Sequence, residues 1–268
     1  MTRGHLIARV AEAGAVIAVL CIGAALVGRL AAAPPAEVRV AGYATSLAGR
    51  TPGQRHNARL AAEALDGCVI AAGGEFSFNR RVGSWSADRG YVKAPVSFEG
   101  ELVPAYGGGV CQTSTTLYNA AMLAGLDIVE RHPHVHVARY APPGRDAAVA
   151  QPNVDLRLRN PHTFPVRIYA AVHDDRVETR LLAPRRLPEG VRVVTRVLSV
   201  TMPARLTLIG GAARRGDRAM PRNPGAPGFR VVTYRVHYRR GVETRRVRVS
   251  DDTYAPMDRV IAFPDEAG

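Results

Sequence analysis

Glycine and proline interrupt this chain so often that a bundle of long helices is excluded. With 26 Gly and 19 Pro in 268 residues, the stretches between breakers are short and many are β-branched. Such punctuation predicts a mostly β, α+β fold with a few short helices. The apolar spacing of Ala58, Ala61, Ala62 and Leu65 predicts a helix over 55–65, closed by Gly67. A second helix is expected over 112–124, where Val110, Leu117, Ala121 and Ala124 share a stripe and Gly125 supplies the stop. Strands are expected at 75–78, 92–98 (broken by Pro95), 126–131, 135–140, 154–159, 165–172, 176–182, 191–200 and 205–209. A hairpin is expected over 229–238 and 242–249, turning at Arg239-Arg240-Gly241. Residues 104–109 read as a loop, and 210–228 as an Arg/Gly/Pro-rich connection.

The N-terminus sets an expected address. Arg3 and Arg9 precede an apolar run from Ala13 to Gly28, an order that keeps the N-terminus cytoplasmic and exports the rest of the chain. Residues 1–33 read as an uncleaved single-pass anchor in the cytoplasmic membrane. A cleaved signal peptide is the alternative, since Ala31-Ala32-Ala33 resembles a processing site that Pro34 would obstruct. Residues 34–44, opening on Pro34-Pro35, read as a linker.

The formal charge of +13 invites a nucleic-acid reading, but Lys93 is the sole lysine and no recognition motif is present. The arginines alternate with Val along expected strands, as in Arg245-Arg246-Val247-Arg248-Val249, so solvated sheet faces account for them. No nucleic-acid partner is expected. Outside the apolar segment the cysteines are Cys68 and Cys111. They form either an exported disulfide or one buried and one working thiol.

Cys111 carries the sharpest chemical signal. It follows Gly107-Gly108-Gly109-Val110 and opens the expected helix, where unpaired N–H groups and the helix dipole favour a thiolate. The N–H groups of Gly108, Gly109 and Gln112 are candidates to hold an oxyanion. Ser114 and Thr115 can bind a substrate carboxylate or merely cap the helix, and Asn79 can bind substrate or close a turn. The competing reading makes Cys111 a small buried residue beside a tight bend. His132, His134 and His136 recur with period two and would share one face of a strand. One of them serves as the base of Cys111, with Asp146 or Asp155 to orient it. No metal or other cofactor is expected, because no carboxylate or cysteine completes a ligand set with these histidines.

Taken together, several segments closely resemble the VanW family. They are Gly74-Glu75-Phe76-Ser77-Phe78-Asn79, Gly90-Tyr91, Ala94-Pro95-Val96, and Gly107 through Asn119. Further on come Gly125-Leu126, Glu130-Arg131-His132-Pro133-His134, Gly144-Arg145-Asp146-Ala147 and Asp155 through Asn160. The resemblance implies a VanW-like domain over 45–183. Residues 184–268 resemble a partial G5-type extension, through the hairpin and Asp251-Asp252-Thr253-Tyr254-Ala255-Pro256. The VanW resemblance also implies a peptidoglycan L,D-transpeptidase acting on stem peptides, with Cys111 as nucleophile and His134 preferred over His132 as base. Where the family commonly shows Ser after that histidine, Val135 stands here. The alternatives are a non-catalytic wall-binding or scaffold module, and a cysteine peptidase acting on stem peptides.

Overall fold

The computed structural model describes residues 36–98, 101–204, 206–209 and 220–262. The segment read as anchor or signal peptide, 1–33, lies outside them. Among the described residues no helix is long and apolar enough to cross a membrane.

The chain runs β1 (Val38–Ser46), α1 (Pro52–Leu65), β2 (Val69–Ile70), β3 (Glu75–Ser77), α2 (Phe78–Val82), β4 (Lys93–Phe98), β5 (Glu101–Tyr106) and α3 (Val110–Leu123). It continues through β6 (Asp127–Glu130), β7 (Arg157–Arg159), β8 (Val166–Val172) and β9 (Arg176–Ala183). The C-terminal part holds β10 (Gly190–Thr201), β11 (Leu206–Ile209), β12 (Met220–Asn223), β13 (Gly228–Arg239), β14 (Val242–Tyr254) and β15 (Arg259–Ala262). Strand outweighs helix, as an α+β, mostly β fold requires.

A sheet in the order β1-β9-β8-β2 is packed by α1 and α3. Along β8 and β9 burial alternates, so that Val166, Ile168, Leu181 and Ala183 enter the core while the residues between them face outward. Smaller sheets follow, β3-β7-β6 and the β4-β5 hairpin. Downstream, β13 is the central strand of β10-β13-β14, and β15 that of β11-β15-β12.

α1 starts three residues earlier than its apolar spacing suggests. Thr51 and Gln54 form a reciprocal capping box, and Pro52 sits in the first turn, where its missing N–H costs nothing. α3 is buried almost all round, including the polar run Gln112-Thr113-Ser114-Thr115-Thr116. Apart from Gln112 Oε1, which has no hydrogen-bond partner among the described residues, those side chains are satisfied internally. Gln112 Nε2 donates to Ser46 O at 2.8 Å, Thr113 Oγ1 to Ala58 O at 3.1 Å, and Ser114 Oγ to Ala147 O at 2.7 Å. Thr116 Oγ1 lies 2.8 Å from Thr45 Oγ1. The run therefore bolts α3 to β1, α1 and the 145–150 loop, as buried polar groups require.

Several local expectations are corrected. Much of the supposed linker 34–44 is β1, because residues 38–46 pair with β9, far away in sequence. Residues 135–140 form no strand; they run as bends and turns. Pro104-Ala105-Tyr106 belong to β5 rather than to a loop, paired with Lys93–Pro95. Phe78 starts α2 instead of extending β3, because Ser77 caps it by accepting from Arg80 N.

Candidate active site

The Gly107-Gly108-Gly109 turn delivers the chain from β5 into α3, and tight packing dictates its composition. A Cβ on Gly108 would lie 2.8 Å from both the Ala94 and Pro95 carbonyl oxygens. Gly109 caps α3 at φ +108°, and a Cβ there would meet Gln54 O at 2.2 Å. Asn57, fully buried, holds the turn by donating to Gly108 O at 2.9 Å. The glycines thus let the turn press against α1 and β4, which fixes where α3 begins.

Cys111 is the second residue of α3, partly buried, and its thiol donates to Val149 O at 3.3 Å. His134 stands near enough for its imidazole to act on the sulfur and pull the thiol down. On the other side of that ring, Nδ1 lies 2.5 Å from Asp146 Oδ2, which also accepts from the His134 backbone N–H at 2.8 Å. The carboxylate therefore holds a proton on Nδ1 and leaves Nε2 as the ring nitrogen available for proton transfer. The His134 side chain is 24% exposed, which leaves the centre a route to solvent.

Asp146 is 1% exposed and has two further donors, Arg131 Nη2 at 2.9 Å and the Tyr254 hydroxyl. Burial opposes its ionisation, but His134, Arg131 and Tyr254 win and hold the carboxyl at about 2. Burial likewise works against the imidazolium, yet Asp146 and the Cys111 sulfur raise His134 to about 10. Burial pushes the Cys111 thiol up; the hydrogen bond and charge of His134 outweigh it, so the sulfur ionises below the ordinary thiol value. His134 thus favours the Cys111 thiolate, and Asp146 braces the imidazolium that faces it.

Tyr140 borders the pair, its hydroxyl 3.5 Å from His134 Nε2. Burial and the neighbouring Cys111 charge raise it well above its usual value, so it stays a neutral O–H. Over its ring lies Arg50, with the guanidinium carbon 5.0 Å from the centroid. Arg50 Nε is buried without a hydrogen-bond partner, and the side chain makes no ion pair among the described residues. Backbone N–H groups of Gly108, Gly109 and Cys111 also lack partners among the described residues.

The other residues singled out in the sequence lie elsewhere or point inward. His132 Nε2 is 3.0 Å from Glu130 Oε1, and His136 Nδ1 is 3.0 Å from Ala255 O. Because 135–140 is not a strand, the three imidazoles share no face. Gln112 N donates to Gly109 O, so that N–H is not free for an oxyanion, and the Gln112 side chain is buried against β1. Ser114 and Thr115 spend their hydroxyls on the Ala147 backbone. Asn79 Nδ2 donates to Val154 O at 2.8 Å, and Asp155 accepts from Asn79 N at 2.8 Å and from Ser77, while Asp146 is the carboxylate that bonds the imidazole. Cys68 and Cys111 are both free thiols. Sequence reasoning gave no role to Arg131, Tyr140, Arg50 or Tyr254. Only Arg131 and Tyr254 stood inside segments that carry the resemblance.

Residues 53–182 match the family described as "VanW like protein". The chain carries a VanW domain. A G5 domain follows over 219–263. The chain is 37% identical over 163 residues to "Uncharacterized protein YoaR" of Bacillus subtilis (strain 168), covering 56% of this chain and 54% of that one. It is 30% identical over 136 residues to "Vancomycin B-type resistance protein VanW" of Enterococcus faecalis (strain ATCC 700802 / V583), covering 48% and 49%. The chain thus spans about half the length of the curated relatives it matches. A solved structure titled "Crystal structure of HP0197-G5" aligns with 28% of this chain and 92% of its own, at 15% identity and a TM-score of 0.16.

Proposed function

We propose that the VanW domain is a cysteine acyltransferase acting on peptidoglycan stem peptides as an L,D-transpeptidase. One observation carries the chemistry: Asp146 holds the His134 imidazole, and that imidazole in turn acts on Cys111 at the start of a buried helix. The wall-peptide substrate is supported by the name of the Enterococcus relative, a vancomycin-resistance protein. The exported address rests on the N-terminal segment, which would tether the domain to the outer face of the cytoplasmic membrane.

In this reading the Cys111 thiolate attacks the carbonyl carbon between the third and fourth stem residues. The tetrahedral oxyanion is held by the free N–H groups of Gly109 and Cys111 at the helix mouth. Collapse breaks the C–N bond, and His134 Nε2 gives its proton to the departing amine of the terminal residue. An amine on a second stem then attacks the thioester, His134 takes its proton, and the thiolate is restored. Arg50, without an acidic partner among the described residues, is the group available to hold a substrate carboxylate beside Tyr140.

The test is to incubate the purified chain with disaccharide-tetrapeptide and analyse products by mass spectrometry. Cross-linked dimers plus the released terminal amino acid are expected. Shortened monomers alone would make it a peptidase, and unchanged substrate with measurable binding would make it a wall-binding module.

A further inference from the structure

Asp146 sits on a short loop just after Pro142-Pro143-Gly144, held on one side by Ser114, Thr115 and Asn119 of α3. Its remaining support comes from the G5 region. Gly144 is gripped at both backbone groups: its N–H donates to the Tyr254 hydroxyl at 2.8 Å, and its carbonyl accepts from Thr233 Oγ1 of β13 at 3.0 Å. The Tyr254 hydroxyl, on β14, donates its own proton to Asp146 Oδ1. Asp252, two residues earlier, binds Arg131 Nη1 at 2.6 Å, and Arg131 reaches Asp146 with both Nη2 and Nε. The loop bearing His134 is pinned to the same place, since Ala255 N donates to Val135 O at 2.8 Å. Tyr254 and Asp252 are 1% and 6% exposed, so these contacts are buried and shielded from water.

We infer that Tyr254 and Asp252 of the G5 region are positioning residues for the Cys111–His134–Asp146 triad, so that the VanW and G5 regions build one active centre together. The inference rests on the acyltransferase reading of that triad. Its physical basis is the demand of a buried carboxylate for donors. Without the Tyr254 hydroxyl, Asp146 Oδ1 keeps Arg131 alone, and Gly144 N–H is left buried without a partner. Without Asp252, Arg131 has one carboxylate to serve and a buried Nη1 with none. Either loss loosens the carboxylate that orients His134, and through it the charge that ionises Cys111.

The experiment is the pH profile of Cys111 alkylation by iodoacetamide in the full chain, for the native protein, Tyr254→Phe, His134→Ala and the double variant. Tyr254→Phe keeps the ring and removes only the oxygen. We expect its thiolate limb to move to higher pH, each tenfold loss of thiolate appearing as about threefold slower alkylation at fixed pH. In the His134→Ala background the same change should have no further effect, because the route to sulfur is gone; a purely structural role would persist there. Asp252→Asn, which keeps the shape of the side chain, should shift the limb in the same direction, and it serves as the second variant if Tyr254→Phe does not fold. A native profile for both variants, or an undiminished effect of Tyr254→Phe without His134, overturns the inference while leaving the triad intact. A native thiol that ionises at the ordinary value overturns the triad reading and the inference with it.

Discussion

Replacing His134 with Ala strips the Cys111 sulfur of a hydrogen bond and a neighbouring positive charge, and leaves burial, which pushes the thiol up. In the variant the thiol should therefore ionise at or above its ordinary value of 9.0. At pH 7 that leaves about 1% thiolate, so the loss relative to a fully ionised sulfur has a ceiling of about 100-fold. Nucleophilicity recovers part of this, because a more basic thiolate attacks faster by about threefold for each tenfold rise in basicity. The alkylation rate at pH 7 should accordingly fall by up to about tenfold. Turnover should fall much further, by about 10²–10⁴ more, since the proton donor for the leaving amine is also lost. The assay follows iodoacetamide labelling of Cys111 by peptide mass spectrometry between pH 5 and pH 10, with Cys68 as an internal reference. Burial raises the Cys68 thiol, so its labelling should rise only at alkaline pH in both proteins. Superimposable Cys111 profiles for native protein and His134→Ala would refute the reasoning.

Other perturbations separate the parts of the site. Asp146→Asn should abolish most turnover. It should also flatten the acid end of the stability curve, because a carboxyl held at about 2 against an ordinary 3.8 contributes about 2 kcal/mol, present above pH 4 and lost as pH falls through about 2; thermal melts from pH 2 to pH 7 would show it. His134 acts with the opposite sign: its stabilisation is complete below its ordinary 6.5 and disappears as pH rises through about 10, so melts of the native chain should drop across that alkaline window and those of His134→Ala should not. Arg50→Ala should raise KM for a carboxylate-bearing stem peptide by about tenfold while leaving Cys111 alkylation unchanged, as steady-state kinetics on stems with free and amidated carboxylates would reveal. Gly109→Ala, forced to φ +108° with its Cβ against Gln54 O, should cost about 2–4 kcal/mol in urea unfolding.

The legible parts of this fold are those governed by local patterns. The alternation over 165–172 and 176–182 matches β8 and β9, and the glycine stop at Gly125 follows α3 closely. Cys111 at the head of a helix could likewise be read from the glycines and the stripe behind them. Local pattern cannot carry partnership across long sequence distances. Val38–Ser46 looks like a linker because its partner strand, β9, comes far later in the chain. Val135-His136-Val137 alternates like a strand, but Ala255 and Asp146 pull the chain through an irregular path instead. The hydroxyl-rich start of α3 reads as substrate-binding or capping groups, and only the surrounding carbonyls of Ser46, Ala58 and Ala147 show that it is core. The same limit hid the support of Asp146, because Tyr254 and Asp252 lie more than a hundred residues away and give no local sign of their partner.

Intact-mass and peptide-mapping analysis of the chain, quenched in acid during reaction with disaccharide-tetrapeptide, most directly tests whether Cys111 becomes acylated. The predicted result is a hydroxylamine-labile adduct on the Cys111 peptide, with the mass of the donor less its terminal amino acid, absent from Cys111→Ala. A chain that consumes donor while Cys111 stays unmodified, or one whose Cys111→Ala variant still forms cross-links, would contradict the account.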